Sequence, residues 1–325
     1  MRILVTGGAG YVGSVTVKYL QESGFEVVVF DNLENGHRNA VNCPLVVGDL
    51  RNKEDVKKLF EKESFDAVFH FAAYVDISVS MKQPEKYFRN NYVATLNLLE
   101  EMAKASVNKL IYSSTSEVYG SSEYLPFDEE HPLNPDNPYG ESKLQSEKTI
   151  LWYHKLKDLR FISLRYFNAA GAPPEGDIGE DHRPELHLIP NAIRGALGLC
   201  EFEFTYPEVE TSDGSPIRDY VHVSDIAQAH ILALPALADK EKNGFYNVGT
   251  GKGYSTKEVV RMVKEITGVD FPTQRGEARP GEPPAKYASN EKVRKELGWQ
   301  MKYSLKEIIE TAYKWHKSHP DGYEK

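Results

Sequence analysis

Tyr139 and Lys143 stand four residues apart in Asn137-Pro138-Tyr139-Gly140-Glu141-Ser142-Lys143. Asn137 suits a helix N-cap and Pro138 the first helical position. The spacing therefore predicts a helix that carries both side chains on one face. A phenol has an ordinary pKa of about 10 and is mostly protonated at neutral pH. A neighbouring ammonium and the positive end of a helix both favour the phenolate, which makes Tyr139 a candidate general base. Tyr-x-x-x-Lys alone equally describes a surface pair on an amphipathic helix. A second segment adds weight. Tyr112-Ser113-Ser114-Thr115-Ser116-Glu117-Val118-Tyr119-Gly120 falls at the carboxyl end of a predicted strand, where open α/β sheets bind their ligands. A hydroxyl there can hydrogen-bond a reacting oxygen, or serve only as a turn residue.

Glycines supply the second chemical signal. The run 2–6 reads as a strand and leads into Gly7-Gly8-Ala9-Gly10-Tyr11-Val12-Gly13, after which a helical pattern begins. Gly7, Gly10 and Gly13 fit one dinucleotide spacing; Gly8, Gly10 and Gly13 fit another. A missing Cβ lets the backbone approach a pyrophosphate, and the helix N-terminus offers free N–H groups and a positive dipole end. Asp31 closes the next predicted strand at the spacing this fingerprint requires. A carboxylate there accepts from ribose hydroxyls and repels a 2′-phosphate, so NAD is expected over NADP. Asp49 ends a third strand in Val-Val-Gly-Asp-Leu, where it contacts an adenine or is simply solvated.

The elements that must position these residues follow from the pattern around them. Apolar, β-branched runs at 2–6, 26–30, 45–47, 67–71, 109–113 and 160–167 alternate with helical patterns at 12–22, 54–63, 84–105 and 139–157. Such alternation predicts a parallel sheet covered on both faces. After Phe167 the texture changes: 168–184 is rich in Gly, Pro and acidic residues and reads as an ordered loop, followed by shorter elements. The expected division is 1–167 for the dinucleotide and 168–325 as a substrate lobe, with some later segments returning to the first domain.

At 325 residues the chain is long enough for about two domains. A formal net charge of −9 argues against a general nucleic-acid binder and leaves any anionic ligand to be held by local donors. No apolar run reaches the ~18 residues of a membrane span. The two cysteines, Cys43 and Cys200, form no disulfide framework, and the start MRILVTGGAG lacks a signal-peptide core, so a cytoplasmic protein is expected. Among ten histidines there is no H-E-x-x-H and no zinc-spaced pairing with cysteine, and no G-x-S-x-G elbow occurs. No metal is expected.

Together the glycine turn, Asp31, the strand-end hydroxyls and the Tyr139/Lys143 pair resemble the extended short-chain dehydrogenase/reductase superfamily. The resemblance narrows at Arg165-Tyr166-Phe167-Asn168-Ala169-Ala170-Gly171-Ala172, Gly176-Asp177-Ile178-Gly179-Glu180-Asp181 and His187-Leu188-Ile189-Pro190. It continues through Asp213-Gly214-Ser215-Pro216-Ile217-Arg218-Asp219-Tyr220-Val221-His222-Val223, Arg279-Pro280-Gly281-Glu282 and Trp315-His316-Lys317-Ser318-His319-Pro320-Asp321-Gly322-Tyr323. These segments are similar, in order and over nearly the whole chain, to the UDP-glucose 4-epimerase family.

That resemblance implies a Rossmann-type doubly wound parallel sheet with a smaller mixed α/β C-terminal lobe. It implies NAD lined by Gly7, Gly10, Tyr11, Val12, Gly13, the turn Asp31-Asn32-Leu33-Glu34-Asn35-Gly36, Asp49, Leu50, Phe71, Ala72, Ala73, Asn90 and Ser113, with Tyr166 and Phe167 at the nicotinamide. Thr115, Tyr139 and Lys143 form the implied catalytic set. Asn168, His187, Leu188, Arg218, Arg279 and Glu282 are implied to hold a UDP-sugar. The guanidinium forks of Arg218 and Arg279 suit phosphate oxygens, although without the motif around each they read as ordinary surface arginines; His187 reads as well as an ordinary structural histidine. A homodimer through the helical segments 84–105 and 139–157 is also implied.

Four positions bear on the fit to the family pattern. Val75 stands where many members carry lysine, and Thr115 replaces the usual serine. Glu117 makes Thr-Ser-Glu similar to nucleotide-sugar decarboxylases and 4,6-dehydratases, in which that acid does chemistry. Lys286 falls near the far wall of the expected sugar pocket. Inversion at C4 of UDP-glucose/UDP-galactose is the expected reaction; dehydration, decarboxylation or epimerisation of another UDP-sugar through the same scaffold is the alternative.

Overall fold

In the computed structural model, which describes residues 1–275 and 283–323, seven parallel strands form the central sheet. Their order across it is Gly244–Val248, Arg160–Tyr166, Lys109–Thr115, Ala67–His70, Arg2–Thr6, Glu26–Asp31 and Leu45–Val47. The chain runs outward from the first strand in one direction, returns to its other side and runs outward again. The order reverses between Arg2–Thr6 and Ala67–His70, and a crevice opens at such a switch point beyond the strands' carboxyl ends. The chain is thus a doubly wound α/β protein.

Both faces of the sheet are buried. Ile3, Val5, Val27, Val29, Phe69, Ile111 and Leu164 pack on one side, while Leu4, Val28, Val68, Leu110 and Phe161 pack on the other. Alternate residues of one strand therefore enter different cores, which explains why the runs 3–5 and 27–30 are apolar at every position. Each fully buried aliphatic side chain contributes roughly 1.5–3 kcal/mol. Helix Tyr11–Glu22 packs against helix Val223–Ala236 on one face, and helices Lys53–Lys62 and Ala94–Lys104 pack against each other. Behind the sheet's carboxyl edge the buried Arg165 guanidinium pairs with Glu147 at 2.7 Å and also donates to Tyr119.

The chain beyond 168 is assembled from small pieces. Asn168–Ala170 pairs with Tyr220–His222, and Ile217–Arg218 lies between Tyr254–Ser255 and Ala285–Lys286. A separate cluster of Ile189, Ile193, Phe204, Val259, Val263 and Ile309 gives this part its own core. Helices Leu188–Ala196, Thr256–Thr267 and Leu305–Ser318 surround that core.

Two local expectations are corrected. The helix expected to run unbroken over 84–105 is interrupted. Pro84–Tyr87 is α-helical, Phe88–Val93 forms a π-helical turn, and Ala94–Lys104 resumes the α-helix. In the turn, the Asn91 carbonyl accepts from the hydroxyls of Thr95 (2.6 Å) and Ser146 (3.2 Å), so side chains satisfy the group that the wider turn frees. A short helix, Ile77–Lys82, also forms where none was read; Asp76 caps it by accepting from the Val79 N–H at 3.0 Å.

Candidate active site

One cleft of about 1390 Å³ runs along the carboxyl ends of the strands and down between the sheet and the C-terminal lobe. Its volume exceeds the ~300–1,000 Å³ of an ordinary small-molecule pocket, leaving room for two large ligands. The residues expected at the cofactor, from Gly7 through Phe167, all line it, as do Thr115, Tyr139, Lys143, Asn168, His187, Leu188 and Arg218. Arg279 and Glu282 lie outside the described residues.

At the dinucleotide end the glycines divide by cause. A Cβ on Gly7, which has φ +70, would lie 2.4 Å from the Ala72 nitrogen, and one on Gly13 would lie 2.2 Å from the Gly7 carbonyl oxygen. Both glycines serve close backbone packing. Gly10 differs: a Cβ there meets only the Gly7 oxygen, at 3.4 Å, and otherwise open cleft. Gly10 is the N-cap of Tyr11–Glu22 and offers no side-chain cap, and the helix has no acidic residue in its first turn. Free N–H groups and a positive helix end thus face open space, the requirement for a pyrophosphate. Asp31 is buried, accepting from the Ala9 N–H at 3.0 Å and the Leu33 N–H at 2.9 Å. Burial raises its pKa and those two N–H groups work against the rise, so they orient a carboxylate with lone pairs left for hydroxyls. These features fit NAD.

Further along, Tyr74 donates to Glu34 at 2.6 Å, and Arg51 joins Glu34 (2.9 Å), Asp49 and the Tyr74 hydroxyl (2.8 Å). Asp49 is therefore not a free strand-end carboxylate. Val75 borders the cleft and is 48% exposed. The ammonium of Lys86, another lining residue, stands over the Tyr74 ring at 4.3 Å.

The reactive end is built on helix Pro138–Lys157. Asn137 caps it, accepting from the Gly140 N–H at 2.9 Å. Gly140 is required because a Cβ would lie 2.4 Å from the Glu117 carbonyl oxygen, so the helix start packs directly on the strand-end segment. Tyr139 and Lys143 face the cleft, both buried. Lys143 Nζ donates to the Ser113 carbonyl at 2.7 Å. The Thr115 hydroxyl, which accepts from the Glu117 N–H at 3.2 Å, lies near enough to the Tyr139 phenol to favour its ionised form, and the Tyr87 ring packs edge-on at 6.4 Å. Ser113 and Tyr166 hydroxyls are 2.5 Å apart.

Burial dominates the electrostatics of this pair. It drives the Tyr139 phenol well above its ordinary value despite the Thr115 hydroxyl, and drives Lys143 down to about 7. The lowering of the phenol expected from the ammonium and the helix end is outweighed by desolvation. The groups are placed for proton transfer, but a further positive charge is needed to make the phenolate accessible.

Opposite the phenol lies a contact that spacing did not reveal. Glu117 Oε1 accepts from Lys286 Nζ at 2.8 Å and Oε2 accepts from Asn137 at 3.0 Å. Burial would raise the Glu117 carboxyl, but Lys286, Asn137 and Arg218 together hold it below its ordinary value. The pairing of Ala285–Lys286 with Ile217–Arg218 sets Lys286 opposite Arg218 and brings both cations to the cleft. His187, the N-cap of helix Leu188–Ala196, lies 2.5 Å through Nδ1 from the buried Glu180. No described helix is long and apolar enough to cross a membrane.

Residues 3–249 match the NAD dependent epimerase/dehydratase family. The chain is 45% identical to a UDP-glucose 4-epimerase of Halalkalibacterium halodurans, over 99% of this chain and 98% of that protein. Among solved structures, a UDP-glucose 4-epimerase superposes with a TM-score of 0.96 at 45% identity, covering 100% of both chains. A UDP-glucose 4-epimerase from Brucella ovis in complex with NAD superposes with a TM-score of 0.91 at 41% identity, covering 96% of this chain and 97% of that one.

Proposed function

The chain belongs to the NAD dependent epimerase/dehydratase family, and on that footing we propose that its cleft interconverts UDP-glucose and UDP-galactose through a transient 4-keto sugar with tightly held NAD. Relatives at this identity are UDP-glucose 4-epimerases over their full length. The observation that favours inversion over dehydration or decarboxylation is the state of Glu117. Paired with Lys286 and Asn137 and held below its ordinary pKa, it has no proton to give as an acid, and with both oxygens engaged and its basicity lowered it is a poor base.

The glycine turn, Asp31 and the surrounding cleft wall hold the dinucleotide. Bound NAD would supply the oxidation and re-reduction at C4 and, in its oxidised form, a positive charge that favours the phenolate. Tyr139 takes the proton from the C4 hydroxyl and later returns it. Thr115 hydrogen-bonds the same oxygen. Lys143, fixed on the Ser113 carbonyl, orients the cofactor and supports the phenolate when protonated. Arg218, Asn168, His187 and Leu188 grip the UDP; Arg279 and Glu282 are assigned to the same task. Firm binding on the non-reacting UDP and loose binding of the sugar let the ring turn over between its two faces.

Residues 1–167 then serve mainly the cofactor and 168–325 mainly the nucleotide sugar. Gly244–Val248 is a later segment that joins the central sheet. A homodimer across 84–105 and 139–157 is supported by Trp152 and Leu156, one helical turn apart and 60% and 70% exposed. A cytoplasmic location is supported by Cys43 and Cys200, both free thiols. The deciding experiment is incubation of the purified protein with UDP-galactose and no added NAD. UDP-glucose is the expected product; a dehydrated or decarboxylated sugar would overturn the proposal.

A further inference from the structure

The segment Glu180-Asp181-His182-Arg183-Pro184-Glu185-Leu186-His187 forms part of the cleft wall but converges on itself. One ligand atom from each of Glu180, His182, Glu185 and His187 lies within 4.8 Å of the others. The pairs resolve more tightly. His187 Nδ1 is 2.5 Å and His182 Nδ1 3.2 Å from Glu180 Oε1. His182 Nδ1 is 3.6 Å from Glu185 Oε2, and His187 Nδ1 is 3.7 Å from Glu185 Oε1. The two rings stand edge to face at 5.3 Å. A tetrahedral ion bonded at about 2.1 Å to nitrogen and oxygen ligands separates them by roughly 3.4 Å, near the three spacings of 3.2, 3.6 and 3.7 Å; the 2.5 Å contact is a hydrogen bond that opens when the ion replaces its proton.

We propose that Glu180, His182, Glu185 and His187 form a binding site for a divalent first-row transition-metal ion of the Zn²⁺ type. The donors are two imidazoles and two carboxylates, a set that suits Zn²⁺ better than the all-oxygen cations Ca²⁺ and Mg²⁺. The ion displaces the imidazole protons that otherwise face the two carboxylates, and its two positive charges then balance the two carboxylates. Four protein ligands close the coordination shell, so the ion is structural.

The supports of a ligand set are present. Glu185 is oriented by accepting from the Leu186 N–H at 2.8 Å and the His187 N–H at 2.9 Å. The Glu180 backbone carbonyl is held by the Trp315 indole at 3.2 Å, and the His182 ring packs edge-on against Tyr11 at 6.3 Å. The Glu180 and Glu185 side chains are each 5% exposed while His182 and His187 are 26% and 52% exposed, which leaves an entry path from the cleft. The ion would pin a Gly- and Pro-rich segment to the start of helix Leu188–Ala196. Resting on the proposed function, it would also fix His187 Nδ1 on the metal and leave Nε2–H as a donor for the UDP diphosphate.

The test uses the untagged full chain, dialysed free of metal and then given ZnCl2. About one zinc per chain should survive gel filtration by elemental analysis. Co²⁺ in its place should show the strong visible bands of a tetrahedral site, and Zn²⁺ should raise the Tm. Loss of an outer-shell partner typically weakens a metal 10–100-fold, so His182→Ala, which removes a ligand, should weaken Zn²⁺ by about 100-fold or more. Glu185→Gln, nearly isosteric and still able to accept from both N–H groups, should do the same and serves if the first variant does not fold. No retained zinc, or equal binding by the folded variants, would overturn the site and mark the cluster as hydrogen-bonded carboxylates and imidazoles only. None of these readouts depends on which sugar the enzyme converts. If the site is right, metal removal should raise KM for the UDP-sugar with little change in kcat.

Discussion

Lys286 meets Glu117 at 2.8 Å across 169 positions of sequence, joining a strand of the C-terminal lobe to the segment on which the Tyr139 helix begins. The Lys286 side chain is 7% exposed and that of Glu117 20% exposed. Because Glu117 also accepts from the N-cap Asn137, the pair sets the height of the C-terminal lobe over the catalytic helix.

Lys286→Met should therefore cost stability as well as disturb the cleft. Removing one partner of a buried pair costs about 3–5 kcal/mol; partial exposure of Glu117 reduces the expectation to about 2–3 kcal/mol. The sign with pH is fixed. Lys286 holds the Glu117 pKa below its ordinary value, so the stability it contributes is present above the unfolded carboxyl pKa and is lost as pH falls through the folded one. The gap between variant and wild type should hold from pH 7 to about pH 5 and narrow only as pH falls below the ordinary glutamate value of about 4.3 in denaturant titrations. A gap that widened would refute the coupling. Glu117→Gln should leave C4 inversion as the product outcome, with turnover reduced only modestly.

Gly7 and Gly10 separate folding from binding. Gly7→Ala forces a Cβ to 2.4 Å from the Ala72 nitrogen at a φ of +70, so it should lower the Tm sharply or abolish soluble protein. Gly10→Ala meets nothing nearer than 3.4 Å within the chain. It should fold normally and lose most of its NAD, because the methyl enters the space above the helix N-terminus. Nucleotide released on denaturation, identified by chromatography, provides the readout. Wild type should release NAD; NADP would refute the reading of Asp31.

Arg218→Met tests the diphosphate grip. A hydrogen bond to a charged group contributes about 1.5–3 kcal/mol, which predicts UDP binding roughly 10- to 150-fold weaker by calorimetry. NAD content should not change, since Arg218 lies on the C-terminal lobe's small sheet. Equal loss of both ligands would mean that the variant disturbs the lobe rather than a contact.

Much of this architecture was legible because its signals are local. Strands buried on both faces are continuously apolar, and the glycine turn, Asp31 and the Tyr139/Lys143 spacing each lie within one element or one connection. What was not legible depends on distant or side-chain-level partners. No pattern links Glu117 to Lys286, and Thr95 and Ser146 fix the π-helical turn through hydroxyls on two different helices. Asp76 caps a helix too short to show periodicity. The Tyr139 phenol was expected to be lowered because the spacing shows the ammonium nearby but not the degree of burial. Searching for H-E-x-x-H or paired cysteines passes over Glu-x-His-x-x-Glu-x-His, whose ligands converge only once the loop is folded.

Tyr139→Phe is the most direct test of the chemistry. The ring's packing against Tyr87 remains, and only the phenolic hydroxyl is removed. General acid–base catalysis contributes about 10²–10⁴-fold, so kcat should fall by that factor with UDP affinity and NAD content unchanged. Lys143→Met should give a smaller loss with the alkaline shift of the pH optimum that follows from removing a cation beside a phenol already raised by burial. The buried Lys143 ammonium is disfavoured, with a pKa of about 7, so the variant should not be less stable than the lost hydrogen bond to the Ser113 carbonyl, about 1–3 kcal/mol. Near-normal turnover by Tyr139→Phe would require the C4 proton to leave by another group and would remove Tyr139 from the reaction while leaving the fold and the cofactor intact.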